Sequence, residues 1–235
     1  LIPIAIKEGF QFHHAEKEYI MLNYWLPSGS NQMPANASHQ VGVGCIVLPP
    51  IDHENPLDIG KNMILTVQER RGVLRGKGIW KLPTGLVDVG EDLGATAVRE
   101  VMEETGVVAE FKGIASFRHS HEALHGKSDL FFICILQAKS MNINISENEI
   151  LAAKWIELDE YTAQNRYKTS ELYNLINKII VDVASNPINN NSNDNNNSKD
   201  NNNIINNIPI KESVVAYGTD YPIRKSSKTC SVYHI

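Results

Sequence analysis

Three glutamates that share one predicted helix face are the residues best suited to chemistry. Glu100, Glu103 and Glu104 stand at positions i, i+3 and i+4, and at about 100° per residue they fall on a single face. Carboxylates at this spacing repel one another, and the last turn of a helix disfavours anions because of the helix dipole. A divalent cation removes both costs, and Mg²⁺ and Mn²⁺ prefer oxygen ligands. The spacing therefore predicts a Mg²⁺ or Mn²⁺ site, with a solvated glutamate-rich helix as the alternative.

The predicted helix that carries these glutamates covers about residues 93–105. Its opposite face is apolar, with Ala97 and Val101, so it can pack against a sheet. Gly106 follows the last turn, where a residue that tolerates positive φ commonly ends a helix. Arg99 precedes Glu103 by four residues and can form an ion pair with it. We expect this pair to fix a carboxylate rotamer and to offset part of the local negative charge.

Alternating strand and helix patterns run through the middle of the chain. Segments rich in β-branched and aromatic residues predict strands at about 41–48, 62–68, 107–117, 129–136 and 153–158. An apolar period of 3.6 residues from Leu172 to Val183 predicts a closing helix. This mixture predicts an α/β fold in which helices pack on a mixed β-sheet.

Composition divides the chain of 235 residues into three predicted regions. These are a partly ordered N-terminal region at 1–38, a folded domain at 39–184 and a C-terminal tail at 185–235. Asparagine dominates residues 186–207. Such a tract has too little apolar surface to offset the entropy of ordering it, so the tail is predicted to be disordered.

Charge and apolar patterning exclude two classes of partner. A formal net charge of −5 argues against a protein that binds nucleic acid by neutralising phosphates. The longest apolar run is the seven residues 130–136, far short of the roughly 20 that a membrane helix needs. Three cysteines without a C-x-x-C pair predict neither a disulfide framework nor a cysteine zinc site, and fit the cytoplasm. Because the sequence begins with Leu1, organelle targeting by a preceding segment stays open.

One segment of the chain resembles a known catalytic signature, that of the Nudix hydrolases. The matching residues are Gly85, Glu91, Arg99, Glu100, Val101, Glu103, Glu104, Gly106 and Val107. Thr84 precedes Gly85, where many members of that family have glycine. Further segments, including W-K-L-P-T-G at 80–85 and F-R-H-S-H at 117–121, resemble a eukaryotic subgroup. It contains plant ADP-ribose/NADH pyrophosphatases and an animal protein encoded antisense to a fibroblast growth factor gene.

The resemblance implies a Nudix α/β/α sandwich with a mixed β-sheet, and a role for each matching residue. It assigns Glu100, Glu103 and Glu104 as catalytic metal ligands, Arg99 as the residue that orients them, and Glu91 as a supporting carboxylate at the metal site. A further carboxylate from outside the signature often acts as ligand or base. The candidates are Glu149 and, second, Glu147.

The implied substrates are ADP-ribose and NADH, cleaved with Mg²⁺ or Mn²⁺. The residues predicted to contact substrate are Lys81, Gly85, Arg118 and His121. The alternatives are another nucleotide (coenzyme A, FAD or a nucleoside triphosphate) and a non-catalytic module that senses nucleotides or binds proteins. A homodimer is implied by the resemblance alone. Zinc is not predicted, because no cysteine accompanies His119 and His121.

Overall fold

The computed structural model describes residues 1–51, 62–124, 126–145, 149–165 and 171–185, together with the backbone of 219–222 and 229–234. The strands are β1 (Gln11–Ala15), β2 (Ile20–Asn23), β3 (His39–Leu48), β4 (Met63–Glu69), β5 (Thr84–Leu86), β6 (Ala109–Leu124), β7 (Lys127–Ala138), β8 (Ile150–Glu157), β9 (Thr219–Pro222) and β10 (Thr229–His234). The helices are α1 (Ile2–Lys7), α2 (Leu93–Thr105), α3 (Leu158–Thr162) and α4 (Glu171–Ser185).

A six-stranded mixed sheet forms the centre of the fold, in the order β5-β3-β7-β6-β10-β9. Strands β3 and β7 run parallel, whereas the pairs β3–β5, β6–β7, β6–β10 and β9–β10 are antiparallel. Strands β4 and β8 form a separate antiparallel pair, and β1 and β2 form another. The predicted α/β class with a mixed sheet is confirmed.

Strand β3 is buried on both faces and separates two apolar cores. On one face Val43, Cys45 and Val47 pack in a core with Ala97 and Val101 of helix α2. On the other face, the core contains Ile46 and Leu48 of β3, Ile133 of β7, Tyr161 of α3 and Ile180 of α4. Because alternate strand residues point to opposite faces, β3 lies between α2 and the C-terminal helices. Each fully buried aliphatic side chain contributes about 1.5–3 kcal/mol.

Two cysteines take part in these cores as free thiols. Cys45 and Cys134 are both buried and form no disulfide. Burial raises the pKa of the Cys134 thiol to about 12, and it also raises the pKa of Cys45. Neither thiol therefore ionises near neutral pH, so both act as small apolar core residues.

The segment predicted to be a disordered tail contains two short strands. Strand β10 pairs antiparallel with β6 over Ser116–Ser120, and β9 pairs with β10. For these ten residues the structure differs from the prediction, and residues 186–218, 223–228 and 235 lie outside the described part of the chain. The edge of β6 offers unpaired backbone groups, and T-C-S-V-Y-H at 229–234 has the β-branched and aromatic composition of a strand.

In the described part of the chain, no helix combines the length and the apolar character needed to cross a membrane.

Candidate active site

Helix α2 carries Glu100, Glu103 and Glu104, which together form the carboxylate row. Contacts at both ends of the helix fix its position. At its start the Thr96 hydroxyl donates to Oε2 of Glu91 at 2.8 Å, and the Thr96 amide donates to the Asp92 carbonyl. At its end Gly106 has φ 68°, and its amide donates to the Met102 carbonyl at 2.9 Å. A Cβ atom at Gly106 would lie 2.6 Å from the carbonyl oxygen of Asn144, so only glycine fits there.

Gly85 of β5 makes room for one of the predicted metal ligands. A Cβ atom at this position would lie 1.8 Å from the carboxylate carbon of Glu100 and 2.0 Å from its Oε1. The strand therefore passes the helix so closely that any side chain at position 85 would displace the Glu100 carboxylate. Gly85 is predicted to contact substrate; the structure places it against Glu100, and the substrate contact stays a prediction.

Arg99 connects three of the signature carboxylates. Its Nε and Nη2 each donate to one oxygen of Glu91 at 2.8 Å, which forms a bidentate ion pair. Its Nη1 donates to Oε1 of Glu100 at 2.9 Å and to Oε2 of Glu103 at 3.3 Å. Its Nη2 also reaches the carbonyl oxygen of Leu86 at 3.1 Å. A planar guanidinium with five donors can hold all of these groups at once, whereas an ammonium cannot.

Glu91 is held by four hydrogen bonds and serves as the anchor of this network. Besides the two from Arg99, it accepts bonds from the Thr96 hydroxyl and from the Asp88 amide at 3.3 Å. The bonds from Arg99, more than those from Thr96 and Asp88, hold the pKa of Glu91 at about 2. Because both oxygens are engaged, this arrangement fits a supporting carboxylate better than a direct metal ligand.

Glu104 is the most buried carboxyl group of the row. It is only 5% exposed, and its Oε2 accepts a bond from the Thr84 amide at 3.3 Å. Burial raises its pKa to about 8, although the nearby Lys81 opposes the shift. Burial also raises the pKa of Glu100, against the effect of Arg99. A divalent cation would compensate this burial and keep both groups ionised, so the donor set fits such an ion.

Glu149 lies close enough to influence the row from outside helix α2. Its charge is among the causes that raise the pKa of both Glu100 and Glu104. Its side chain is exposed, and its carbonyl oxygen accepts a bond from the Arg70 amide at 3.0 Å. The role of Glu149 as a further carboxylate of the site stays a prediction, and Glu147 lies outside the described residues.

In the described part of the chain, no three His, Cys, Asp or Glu side chains converge on a single metal position. Glu100 and Glu103 are turned toward Arg99, and Glu104 toward the Thr84 amide. Glu100, Glu103 and Glu104 are the residues that would hold a cation. Binding would exchange part of the Arg99 contacts for metal–oxygen bonds.

A cavity of about 170 Å³ lies beside the carboxylate row. Two of the four residues predicted to contact substrate line this cavity, and two do not. Lys81 and Arg118 line it, together with Thr84, whereas Gly85 and His121 do not. The Lys81 ammonium donates to the Thr84 hydroxyl at 2.7 Å and lies 2.8 Å from Oε1 of Glu69. His121 is exposed, and its Nδ1 lies 3.1 Å from the Ser128 hydroxyl.

Sequence reasoning missed three residues that build the site. Thr84 supplies the amide that holds Glu104, Thr96 holds Glu91, and Glu69 holds Lys81. Thr96 could have been found, because it precedes Glu100 by four residues, on the glutamate face of the predicted helix, and follows Glu91 by five. Thr84 and Glu69 gave no comparable signal, because their partners are distant in sequence.

Comparison with known proteins gives matches along most of the chain. A sequence profile described as the NUDIX domain matches residues 38–177, and one described as the Nudix hydrolase domain matches residues 1–26. Nudix hydrolase 2 of Arabidopsis thaliana is 50% identical over 172 residues, covering 73% of this chain and 58% of that protein. Nucleoside diphosphate-linked moiety X motif 6 of Xenopus laevis is 45% identical over 180 residues, covering 75% of this chain and 77% of that protein.

The chain thus spans little more than half the length of the Arabidopsis relative. Among solved structures, an Ap4A hydrolase of C. elegans is similar, with a TM-score of 0.45 and 21% identity. That match covers 63% of this chain and 99% of the other.

Proposed function

This chain belongs to the Nudix hydrolase family, and we propose that it hydrolyses the pyrophosphate bond of nucleoside diphosphates linked to a second moiety, with ADP-ribose and NADH as substrates. The observation that carries the proposal is the carboxylate row of α2, organised by Arg99 and backed by Gly85. The substrate choice is supported by resemblance of the segments at 80–85 and 117–121 to ADP-ribose/NADH pyrophosphatases.

The reaction requires neutralisation of the pyrophosphate and an activated water molecule. Mg²⁺ or Mn²⁺, when bound, supplies both, since it stabilises charge on phosphoryl oxygens and lowers the pKa of water. Glu100, Glu103 and Glu104 would hold the cation. Arg99 keeps two of these carboxylates oriented from one side, and Glu91 keeps Arg99 in place through the bidentate pair.

Two residues outside helix α2 complete the proposed chemistry. Glu149 is exposed and lies near the row, so it can accept the proton of the attacking water. Water forms a new bond to one phosphorus while the bridging P–O bond breaks, which gives AMP and ribose 5-phosphate from ADP-ribose. The Lys81 ammonium, beside Thr84 and Glu104, can donate a hydrogen bond to a phosphate oxygen.

Product analysis by chromatography tests this proposal. Purified protein is incubated with ADP-ribose, NADH, coenzyme A, FAD or dGTP, each with Mg²⁺ and with Mn²⁺. We expect AMP with ribose 5-phosphate from ADP-ribose, and AMP with reduced nicotinamide mononucleotide from NADH. Faster cleavage of coenzyme A, FAD or dGTP would replace the proposed substrates by that nucleotide.

Two variants separate this activity from a contaminant. Glu104→Gln should abolish product formation, whereas Glu110→Gln should not, because Glu110 is an exposed glutamate that pairs with Lys112. Cleavage of none of the five nucleotides by the unaltered chain, with nucleotide binding retained, would favour the non-catalytic module instead.

A further inference from the structure

The cavity beside the carboxylate row combines apolar walls with a few polar groups. Its lining is mostly aliphatic and aromatic, and its polar members come from separate elements: Ser116 and Arg118 from β6, Asn177 from α4. Lys81 and Thr84 line the end that adjoins Glu104. An apolar pocket with a few convergent polar groups is typical of a small-molecule site.

One wall of the cavity depends on two glycines of β3. A Cβ atom at Gly44 would lie 2.8 Å from Cε1 of Phe131, and one at Gly42 would lie 3.2 Å from its Cδ2. The missing side chains allow the Phe131 ring to lie across β3. The guanidinium carbon of Arg118 lies 5.1 Å from the centre of that ring, and its Nη2 donates to Asp129 at 2.6 Å. Phe131 and Arg118 thus form a flat wall of the cavity.

Polar atoms on this wall are buried without a partner in the described part of the chain. The Ser116 hydroxyl and the Nε of Arg118 both lack a hydrogen bond there, and Ser116 is 1% exposed. Two residues apart on β6, these side chains point to the same face, opposite Ile133 and Phe131 of β7. Asn177 is 9% exposed and reaches the same cavity from α4. Buried polar groups are normally paired, so a ligand is the natural partner.

We propose that this cavity binds the nucleobase of the nucleotide, and that Ser116, Arg118 and Asn177 hydrogen-bond its edge; this inference rests on the proposed function. A flat ring suits the Phe131–Arg118 wall, whereas a phosphate would lose its hydration against apolar walls. Ser116 can donate and accept, Arg118 can donate, and an asparagine amide pairs with the amino group and ring nitrogen of adenine. Lys81 and Thr84 join the cavity to Glu104, so the pyrophosphate can reach the carboxylate row.

A base-exchange experiment tests the inference. The ratio of kcat/KM for ADP-ribose to kcat/KM for its hypoxanthine analogue is measured for the unaltered chain, Asn177→Ala and Ser116→Ala. We expect Asn177→Ala to lower kcat/KM for ADP-ribose by roughly 10–100-fold, the scale of a lost bidentate base contact, and to bring the ratio close to one. Asn174→Ala is the matched control, because Asn174 is an exposed asparagine on the same helix.

Adenosine binding measured by calorimetry gives a readout that does not require turnover. We expect Asn177→Ala and Ser116→Ala to weaken adenosine binding and Asn174→Ala to leave it unchanged. Should Asn177→Ala fail to fold, Ser116→Ala alone decides, since it removes one oxygen atom. Hydrolysis of ADP-ribose with an unaltered base ratio in the folded variants overturns the inference and leaves the proposed function standing. Absence of hydrolysis in the unaltered chain overturns the proposed function, and the adenosine titration then decides the inference by itself.

Discussion

Replacement of Gly85 by alanine perturbs the site at one defined point. The added Cβ atom would lie 1.8 Å from the Glu100 carboxylate carbon, whereas ordinary contact begins at 3.4 Å. The carboxylate must therefore move by about 1.6 Å, away from its position on Arg99. Because a misplacement of about 1 Å can lower a rate 10²-fold, we expect Gly85→Ala to lower kcat at least about 100-fold, or about 2.7 kcal/mol in the barrier.

The same substitution should leave the fold largely intact. The obstructing atoms belong to the far end of a side chain, which can turn away, so we expect a loss of stability near the lower end of the 1–3 kcal/mol range for overpacking. The assay combines steady-state turnover of ADP-ribose with a thermal melt. A fall in kcat with a shift of only a few degrees in Tm would match the structure.

A double-mutant cycle identifies the path of the effect. If Gly85→Ala acts through Glu100, adding it to Glu100→Ala should change neither turnover nor Mn²⁺ affinity any further. The Mn²⁺ dissociation constant replaces turnover where the latter is too slow to measure. A Gly85→Ala variant that retains kcat within about threefold would refute the reasoning. So would a double variant in which Gly85→Ala lowers turnover or Mn²⁺ affinity as much in the Glu100→Ala background as it does alone.

Three further changes test other parts of the site. Glu104→Gln should lower kcat by more than about 100-fold, and unchanged turnover in the kinetic assay would contradict the role of Glu104. The same variant should leave the Tm of the metal-free protein at pH 7 nearly unchanged. The reason is that burial raises the pKa of Glu104 to about 8, so the carboxyl group is mostly neutral at pH 7. In thermal melts of the chelator-treated protein, stability should fall as the pH rises from about 4.5 through about 8. Over this pH range the folded state binds the Glu104 proton more tightly than the unfolded chain does. An equal dependence of stability on pH in Glu104→Gln would assign the effect to other groups. Gly106→Ala should lower stability by about 1–3 kcal/mol, measured by urea unfolding, because of its φ of 68° and the approach of Asn144; a stability equal to that of the unaltered chain would contradict the helix-end geometry.

Local periodicity made helix α2 predictable. Its span of 93–105, its glycine end at Gly106, and the shared face of Glu100 and Glu103 all follow from interactions within one or two helical turns. The ion pair of Arg99 with Glu103 was predicted for the same reason and is present. The α/β class also followed from the alternation of apolar patterns, because each strand and helix records its own period of burial.

Sheet edges were less predictable, because their pairing depends on residues far apart in the chain. Nothing in residues 229–234 indicates that they pair with β6, more than a hundred positions earlier. Their composition suits a strand, but the edge with which they pair exists only once β6 and β7 have formed. The prediction of a loose tail for these residues therefore rested on composition alone.

By itself, the sequence determined which carboxylates share a face, because helical geometry converts spacing directly into direction. Only the tertiary structure decided their chemistry. Three features of the site each require residues from different strands and helices. They are the close approach of Gly85 to Glu100, the hydrogen bond from the Thr84 amide to Glu104, and the cavity lined by Ser116 and Asn177. The physical reason is that burial, pKa and close approach depend on which surfaces pack together, and packing is a property of the assembled fold rather than of any single segment.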